Sequence, residues 1–366
     1  MASDSVAVVG AAAGQRKTVL HLVGSRQDSF YYDLSVLYAR ACDGCEELDR
    51  SRYEFRFAVV GMDDRWSFPE SLDEKALEAA PSLTFADAMA HICKMAPDVM
   101  VPHMFCVEGM TRYRSLFDLL QIPFVGNKEY TIWHATDKAT TKQILEANGV
   151  QVPKGELLIR GRVEKPTTVK VPFVVKPCNE DNSRGITLVR TEEEAQKAIE
   201  YAFSFDERVV VDEYIAGREI RVACIEEEDG SLTLVTSSDG KLTADAIKQA
   251  KKDGDRKCPA DLSPLLHERV DRITREAHRA LKCRHYSLFD MRIDADEQPY
   301  VLEACLFCSF SPLSVIPAMA AHAGREDLRH PNLFHTLLER AAAEAKAPRQ
   351  VTDQGSTTAS DCSGEH

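Results

Sequence analysis

The stretch Ser287-Leu288-Phe289-Asp290-Met291-Arg292-Ile293-Asp294-Ala295-Asp296-Glu297-Gln298-Pro299-Tyr300-Val301-Leu302-Glu303-Ala304 places two strand-like runs on either side of a polar, turn-like segment, residues 294–299. Such a pattern predicts a β-hairpin. With its centre between Asp296 and Glu297, Asp290 and Glu303 fall directly opposite each other, while Met291, Ile293, Leu302 and Ala304 take the other face by the period of two. Opposed like charges destabilise a sheet, so this pair is kept most easily where a hard divalent cation lies between the carboxylates. Two solvated acids on an open sheet face fit the same spacing, and the hairpin alone does not choose.

Upstream of the hairpin, periodicity predicts a helix at 265–281, a variable stretch at 230–263, strands at 219–225 and 208–212, and a helix at 192–203. Two strands at 172–177 and 186–189 are joined by a polar loop. A helix at 137–148 precedes them, with Thr136 as N-cap and Gly149 just past its end. Nearer the N-terminus come a strand at 18–23, a helix at 34–42, a strand at 54–60, a helix at 84–95 and a strand at 98–102. Strands alternating with helices predict a parallel, doubly wound α/β unit. The expected division is a disordered N-terminus at 1–16, units at 17–125, 126–205 and 206–335, and a disordered tail at 341–366.

A chain of 366 residues that is 44% hydrophobic has enough apolar surface for several packed cores. Its formal charge of -13 opposes long-range attraction to nucleic acid or anionic lipid, so a small-molecule substrate is expected. No signal-like or bilayer-length apolar segment is visible, which predicts a cytoplasmic, reducing location. The eleven cysteines are scattered through apparent strands and helices, as buried thiols are. Two C-x-x-C pairs, Cys42 with Cys45 and Cys305 with Cys308, leave open a four-thiolate zinc site, although neither carries a histidine or a knuckle-like glycine.

Several further pieces carry chemistry. Lys176 ends the apolar run Phe173-Val174-Val175 and opens the loop 178–185, whose Asn179, Asn182, Ser183 and Gly185 offer donors to a phosphate. No Walker loop is present, and a strand lysine before a polar turn fits as well. Lys138 stands at the start of a helix whose N-terminus favours an anion, and a solvated helix lysine is its plain alternative. The run Val209-Val210-Val211-Asp212-Glu213-Tyr214-Ile215 passes from strand to polar hinge, with Glu219 beyond it. Exposed peptides there suit an adenine edge and Glu219 suits ribose hydroxyls, as would a simple strand end.

Taken in order, Thr136-Asp137-Lys138, Val175-Lys176-Pro177, residues 212–219, Asp290 and Leu302-Glu303-Ala304 resemble the ATP-grasp superfamily. Val101-Pro102-His103 with Glu108-Gly109 is similar to the HG...EG segment of its D-alanine:D-alanine ligase branch. The resemblance implies a three-subdomain ATP-grasp fold, α/β in its doubly wound N-terminal domain and α+β in the ATP-grasp part. By it, Lys138 and Lys176 contact ATP phosphates, the loop around Ser183 closes over them, and Asp212, Glu213, Tyr214 and Ile215 hold adenine. Glu219 binds ribose, and Asp290 with Glu303 holds one or two Mg2+ ions.

From Thr18 to about Gly324 the chain resembles the mycosporine-like amino acid ligases more closely still. The likeness lies in Leu20-His21-Leu22-Val23-Gly24-Ser25, Phe30-Tyr31-Tyr32-Asp33-Leu34-Ser35, Cys283-Arg284-His285-Tyr286-Ser287-Leu288-Phe289-Asp290 and Cys308-Ser309-Phe310-Ser311-Pro312. That family joins an amino acid such as serine or threonine to mycosporine-glycine. By this resemblance His103, Glu108 and Ser309 serve catalysis at the acceptor end, Ser311 and Ser314 bind substrate, and Lys241 stands where a lid lysine contacts phosphate. A homodimer is compatible with it.

The chain departs from the peptide ligases at Leu288, where they carry an arginine, and at Cys305, where they carry an asparagine metal ligand. Loss of a fixed cation disfavours an acyl-phosphate intermediate relative to a conjugated enol phosphate. A thiol is a poor Mg2+ ligand, so Cys305 would hold a second metal weakly. The segment Thr236-Ser237-Ser238-Asp239-Gly240-Lys241-Leu242 resembles a shortened remnant of the family's lid. The expected function is ATP-dependent ligation of an amino acid to mycosporine-glycine through a phosphorylated ring oxygen. The alternatives are a D-alanine:D-alanine or dipeptide ligase, and a nucleotide-binding protein with little catalysis.

Overall fold

In a computed structural model of the chain, residues 16–180, 184–227, 229–238 and 257–344 are described. Three four-stranded sheets succeed one another along them. The first contains β1 (Lys17–Gly24), β2 (Tyr53–Val60), β3 (Trp66–Ser67) and β4 (Val99–Pro102) in the order β3-β2-β1-β4. β1 runs parallel to β2 and β4, and only the short edge strand β3 is antiparallel. Every residue of β4 is buried, as expected for a parallel strand covered on both faces. The helix Ser29–Asp43 begins ahead of the expected residue 34 because Asp28 caps it, accepting from the Tyr31 N–H.

The second sheet joins β5 (Gly155–Ile159), β6 (Phe173–Pro177), β7 (Thr187–Val189) and β8 (Arg208–Glu213) in the order β5-β8-β6-β7, all antiparallel. The helix Glu192–Phe203 packs its apolar side on it. β8 lies in the middle of this sheet, hydrogen-bonded to β5 and β6, so a boundary after residue 205 puts it on the wrong side. Alternation along the chain does not reveal which strands pair.

The third sheet contains β9 (Arg218–Glu226), β10 (Leu232–Ser238), β11 (Tyr286–Ile293) and β12 (Pro299–Cys305) in the order β10-β9-β11-β12. Part of the expected variable stretch is therefore the ordinary strand β10, antiparallel to β9. One face of the sheet packs on the helix Pro264–Ala280 and on the helix Lys138–Ala147. The latter precedes the second sheet in sequence but covers the third, and this carries Lys138 to the cleft between the two. Its N-cap is Asp137, which accepts from the Thr140 N–H, rather than Thr136, whose hydroxyl donates to the Trp133 carbonyl.

The third sheet shares a core with the first through the helices Val315–His322 and Asn332–Glu344, where Leu288, Val99, Phe334 and Leu338 belong to one apolar cluster. A disordered tail from residue 341 is corrected for its first four residues. Ala341 and Ala342 continue the buried stripe, and Glu344 pairs with Arg284 and His285. The buried Asn127 ties the same two units, donating to the Tyr286 and Leu306 carbonyls and accepting from the Arg284 N–H. No described helix is long and apolar enough to cross a membrane.

Candidate functional site

The hairpin brings its carboxylates together as expected, by a route the sequence conceals. Asp290 pairs with Glu303, yet a β-bulge between Asp290 and Met291 moves the remaining partners to Met291↔Val301, Arg292↔Tyr300 and Ile293↔Pro299. The bulge makes Val301, not Leu302, the core partner of Met291, and Leu302 lines the cleft instead. Above the bulge the alternation holds, with Phe289 and Ala304 in the core.

Each carboxylate already faces a cation. Arg221 on β9 is opposite Asp290 and donates to it through Nε at 2.5 Å and Nη2 at 2.8 Å. Burial pulls the Arg221 pKa down, but the hydrogen bonds and charge of Asp290 outweigh it, so the guanidinium is held firmly protonated. Lys138 lies 3.1 Å from Glu303 and donates to the Glu180 carbonyl at 2.6 Å. Opposed oxygen ligands that draw positive charge suit a hard divalent cation, so Asp290 and Glu303 fit Mg2+. Cys305 is one pleat beyond Glu303, opposite Leu288, and its soft thiol does not match that donor set.

Asp212 has a different place from the one expected. It is buried between two lysines, with Lys142 Nζ at 2.5 Å and Lys176 Nζ at 2.7 Å. Its carboxylate holds the lysine floor of the cleft rather than the edge of the hinge. Lys138, Lys142, Lys176, Asp212 and Glu303 line one cleft. Next along the chain, the Glu213 and Tyr214 N–H groups donate to the Lys154 and Pro172 carbonyls. Glu219 pairs across the sheet with Arg292, which lies over the Tyr214 ring.

The acceptor-end residues divide. Ser309, Ser311 and Ser314 are buried after β12, where Ser309 Oγ accepts from the Ser311 N–H and the Ser311 and Ser314 hydroxyls are 3.0 Å apart. Glu108 pairs with Arg112 at 3.1 Å and with Arg26 at 3.7 Å. Gly109 is required beside it, because a Cβ there would lie 2.2 Å from Met104 Cβ. His103, by contrast, is 1% exposed, with Nε2 2.8 Å from His21 Nδ1, and does not line the cleft. Aromatic rings of Phe55, Phe57 and Phe334 surround its partner, and burial lowers the His103 pKa to about 3. Ser183 and Lys241 lie outside the described residues.

Among the described residues the two C-x-x-C pairs do not assemble; the grouping of metal-type donors is His21, Cys42 and His103. The imidazole planes there are 7° apart and the bonded nitrogens point at each other, which is a hydrogen-bonded pair rather than a shared metal ligand set.

Lys142 and Arg221 were not identified from the sequence. Lys142 follows Lys138 by four residues, hence on the same helix face, and Arg221 follows Glu219 by two, hence on the same strand face. Both signals are ordinary on any amphipathic element.

The family described as D-ala D-ala ligase C-terminus matches residues 144–339. The D-alanine--D-alanine ligase of Maridesulfovibrio salexigens is 30% identical over 213 residues, covering 58% of this chain and 70% of that protein. The D-alanine-D-alanine ligase structure from Coxiella burnetii superposes with a TM-score of 0.68 at 21% identity, over 90% of this chain and 95% of the other. The Bacillus anthracis D-alanine--D-alanine ligase complexed with ATP gives 0.66 at 21% identity, over 90% and 99%. At that identity the likeness is one of fold, and it matches the three-sheet architecture described above.

Proposed function

Since the chain belongs to the D-alanine:D-alanine ligase family and is an ATP-dependent carbon–nitrogen ligase of the ATP-grasp fold, we propose that it activates a carboxylate as an acyl phosphate and lets an amino-acid amine displace the phosphate. The observation that carries this reading is the cleft in which Lys138, Lys142 and Lys176 converge with Asp212 and Glu303, Glu303 being paired across the hairpin with Asp290. Lys138 and Lys176 meet the ATP phosphates, and Asp212 keeps Lys142 and Lys176 aligned in a site of low dielectric. The purine edge falls to the peptide of Ile215, since the Glu213 and Tyr214 N–H groups are already used. Glu219, beside Arg292, would accept from the ribose hydroxyls.

Mg2+, held by Asp290 and Glu303, would neutralise phosphate charge. In the first step an acceptor oxygen bonds to the terminal phosphorus as the bond to ADP breaks. In the second the amine nitrogen bonds to the activated carbon, phosphate departs with the bonding pair, and the ammonium proton is lost to water. Positioning supplies most of the acceleration, because phosphoryl transfer asks little covalent chemistry of the protein.

A second reading takes mycosporine-glycine as acceptor, with serine or threonine as the amine. It is favoured by Leu288, which is buried in the apolar cluster opposite Cys305, so that neither the arginine nor the asparagine of peptide ligases stands there. The test is ADP release by the full chain with Mg2+ and ATP. Release with D-alanine supports the peptide reading; release with mycosporine-glycine and a red-shifted product supports the second. No release with any acceptor would overturn both.

A further inference from the structure

Asp290 needs a cation only until a metal ion binds, yet the one it faces is built into the sheet. Arg221 rises from β9 directly opposite Asp290, its side chain 12% exposed and forked onto both carboxylate oxygens through Nε and Nη2. This fork leaves Nη1 outside it. On the far side of β11, Cys305 pairs with Leu288, and the chain runs on from there through Cys308 into the buried Ser309 to Ser314 segment. The guanidinium therefore stands on the sheet face that carries Asp290 and Leu288, beside the strand that holds Glu303.

The register relates this position to the departure at Leu288. Leu288 pairs with Ala223 on β9, and Asp290 pairs with Arg221, so residues 288, 290, 221 and 223 share one face. Positions 288 and 221 are diagonal neighbours on that face, roughly 7–8 Å apart and within reach of a long side chain. A guanidinium from 221 and one from 288 would serve the same region.

We infer that Arg221 is the catalytic cation of the acceptor end: from β9 it faces the negative charge that develops on the phosphorylated acceptor, the task an arginine at position 288 would perform from β11. This rests on the ligase reading above and deepens it. It also removes an objection, since a leucine at 288 no longer leaves an acyl phosphate without a fixed cation. A preorganised donor of this kind acts on the chemical step more than on ground-state binding.

The test uses the full chain with whichever acceptor supports ADP release, and compares the wild type with Arg221→Ala, Arg221→Lys and Arg221→Ala combined with Leu288→Arg. At saturating Mg2+, Arg221→Ala is expected to lower kcat by about 10²-fold with the KM for ATP little moved. Arg221→Lys should recover part of the loss, because an ammonium supplies charge without the planar fork. Adding Leu288→Arg should recover more. If Arg221 is only the resting counterion of Asp290, Arg221→Ala will need less Mg2+ and reach the wild-type kcat, which overturns the inference while leaving the ligase reading intact. Should Arg221→Ala not fold, the Lys variant and Leu288→Arg in its background decide by the same kcat comparison. Absence of ADP release in the wild type would remove the ligase reading and the inference with it.

Discussion

The two ends of the cleft are built differently. At the nucleotide end the charges are interlocked: Lys142 and Lys176 share Asp212, and Lys138 bridges Glu303 and the Glu180 carbonyl. On the sheet face beside Asp290, buried Leu288 and half-buried Cys305 stand where peptide ligases carry an arginine and an asparagine, and the cation that faces Asp290 comes from a neighbouring strand as Arg221. In the proposed reading the first end handles a phosphate chain whose charge any substrate of the reaction shares. In the same reading the second meets the part of the substrate that differs between enzymes, and positions 288 and 221 share the sheet face from which a cation would act there.

The largest effect that would break this contrast is at the hinge between the two ends. Asp290→Asn and Glu303→Gln are each expected to lower ADP release by about 10³-fold at fixed Mg2+, since both ligands serve both steps. A loss confined to one acceptor would place the carboxylates at the acceptor end instead. At the proposed nucleotide end, Asp212→Ala leaves the buried Lys176 and the partly buried Lys142 without their shared partner. The expected cost is about 3 kcal/mol, read from urea unfolding, and an unchanged midpoint would show that the lysines find other partners.

His103 sharpens the comparison from outside the cleft. Its pKa is held at about 3 against an ordinary 6.5, chiefly by burial, so the folded chain excludes a proton that the unfolded chain accepts. Its contribution to stability is therefore complete above about 6.5 and is lost as pH falls toward 3, by up to about 1.4 kcal/mol per unit. Urea midpoints followed downward from neutral pH should fall less steeply in His103→Asn than in the wild type. An unaltered slope would mean that other groups carry the dependence. The smallest effect is Glu108→Gln, whose half-exposed ion pairs are worth less than about 1 kcal/mol in stability. It should raise the KM for the acceptor and not that for ATP; the opposite pattern would move Glu108 to the nucleotide end.

The hairpin shows why some of the site was legible in advance. Asp290 and Glu303 were placed opposite each other by counting from a turn, and they are opposite, although a bulge shifts every pair between them and the turn. A one-residue bulge leaves composition and alternation almost untouched while changing the register, so the sequence cannot announce it. His103 shows the reverse. Its motif was legible, but the side chain turns inward to His21, and that choice depends on aromatic rings contributed by β2 and by a helix near the C-terminus.

By itself the sequence determined the carboxylate hairpin, the positions of Lys138 and Lys176 and many of the strands and helices, because periodicity and turn chemistry are local; the ATP-grasp class rested on the resemblance of its motifs, and β5, β10 and the two C-terminal helices went unread. Only the tertiary structure decided that β8 completes the second sheet, that Asp212 binds Lys142 and Lys176, and that Arg221 faces Asp290. These depend on contacts between residues distant in the chain, whose pairing is settled by packing and buried charge rather than by any neighbouring residue.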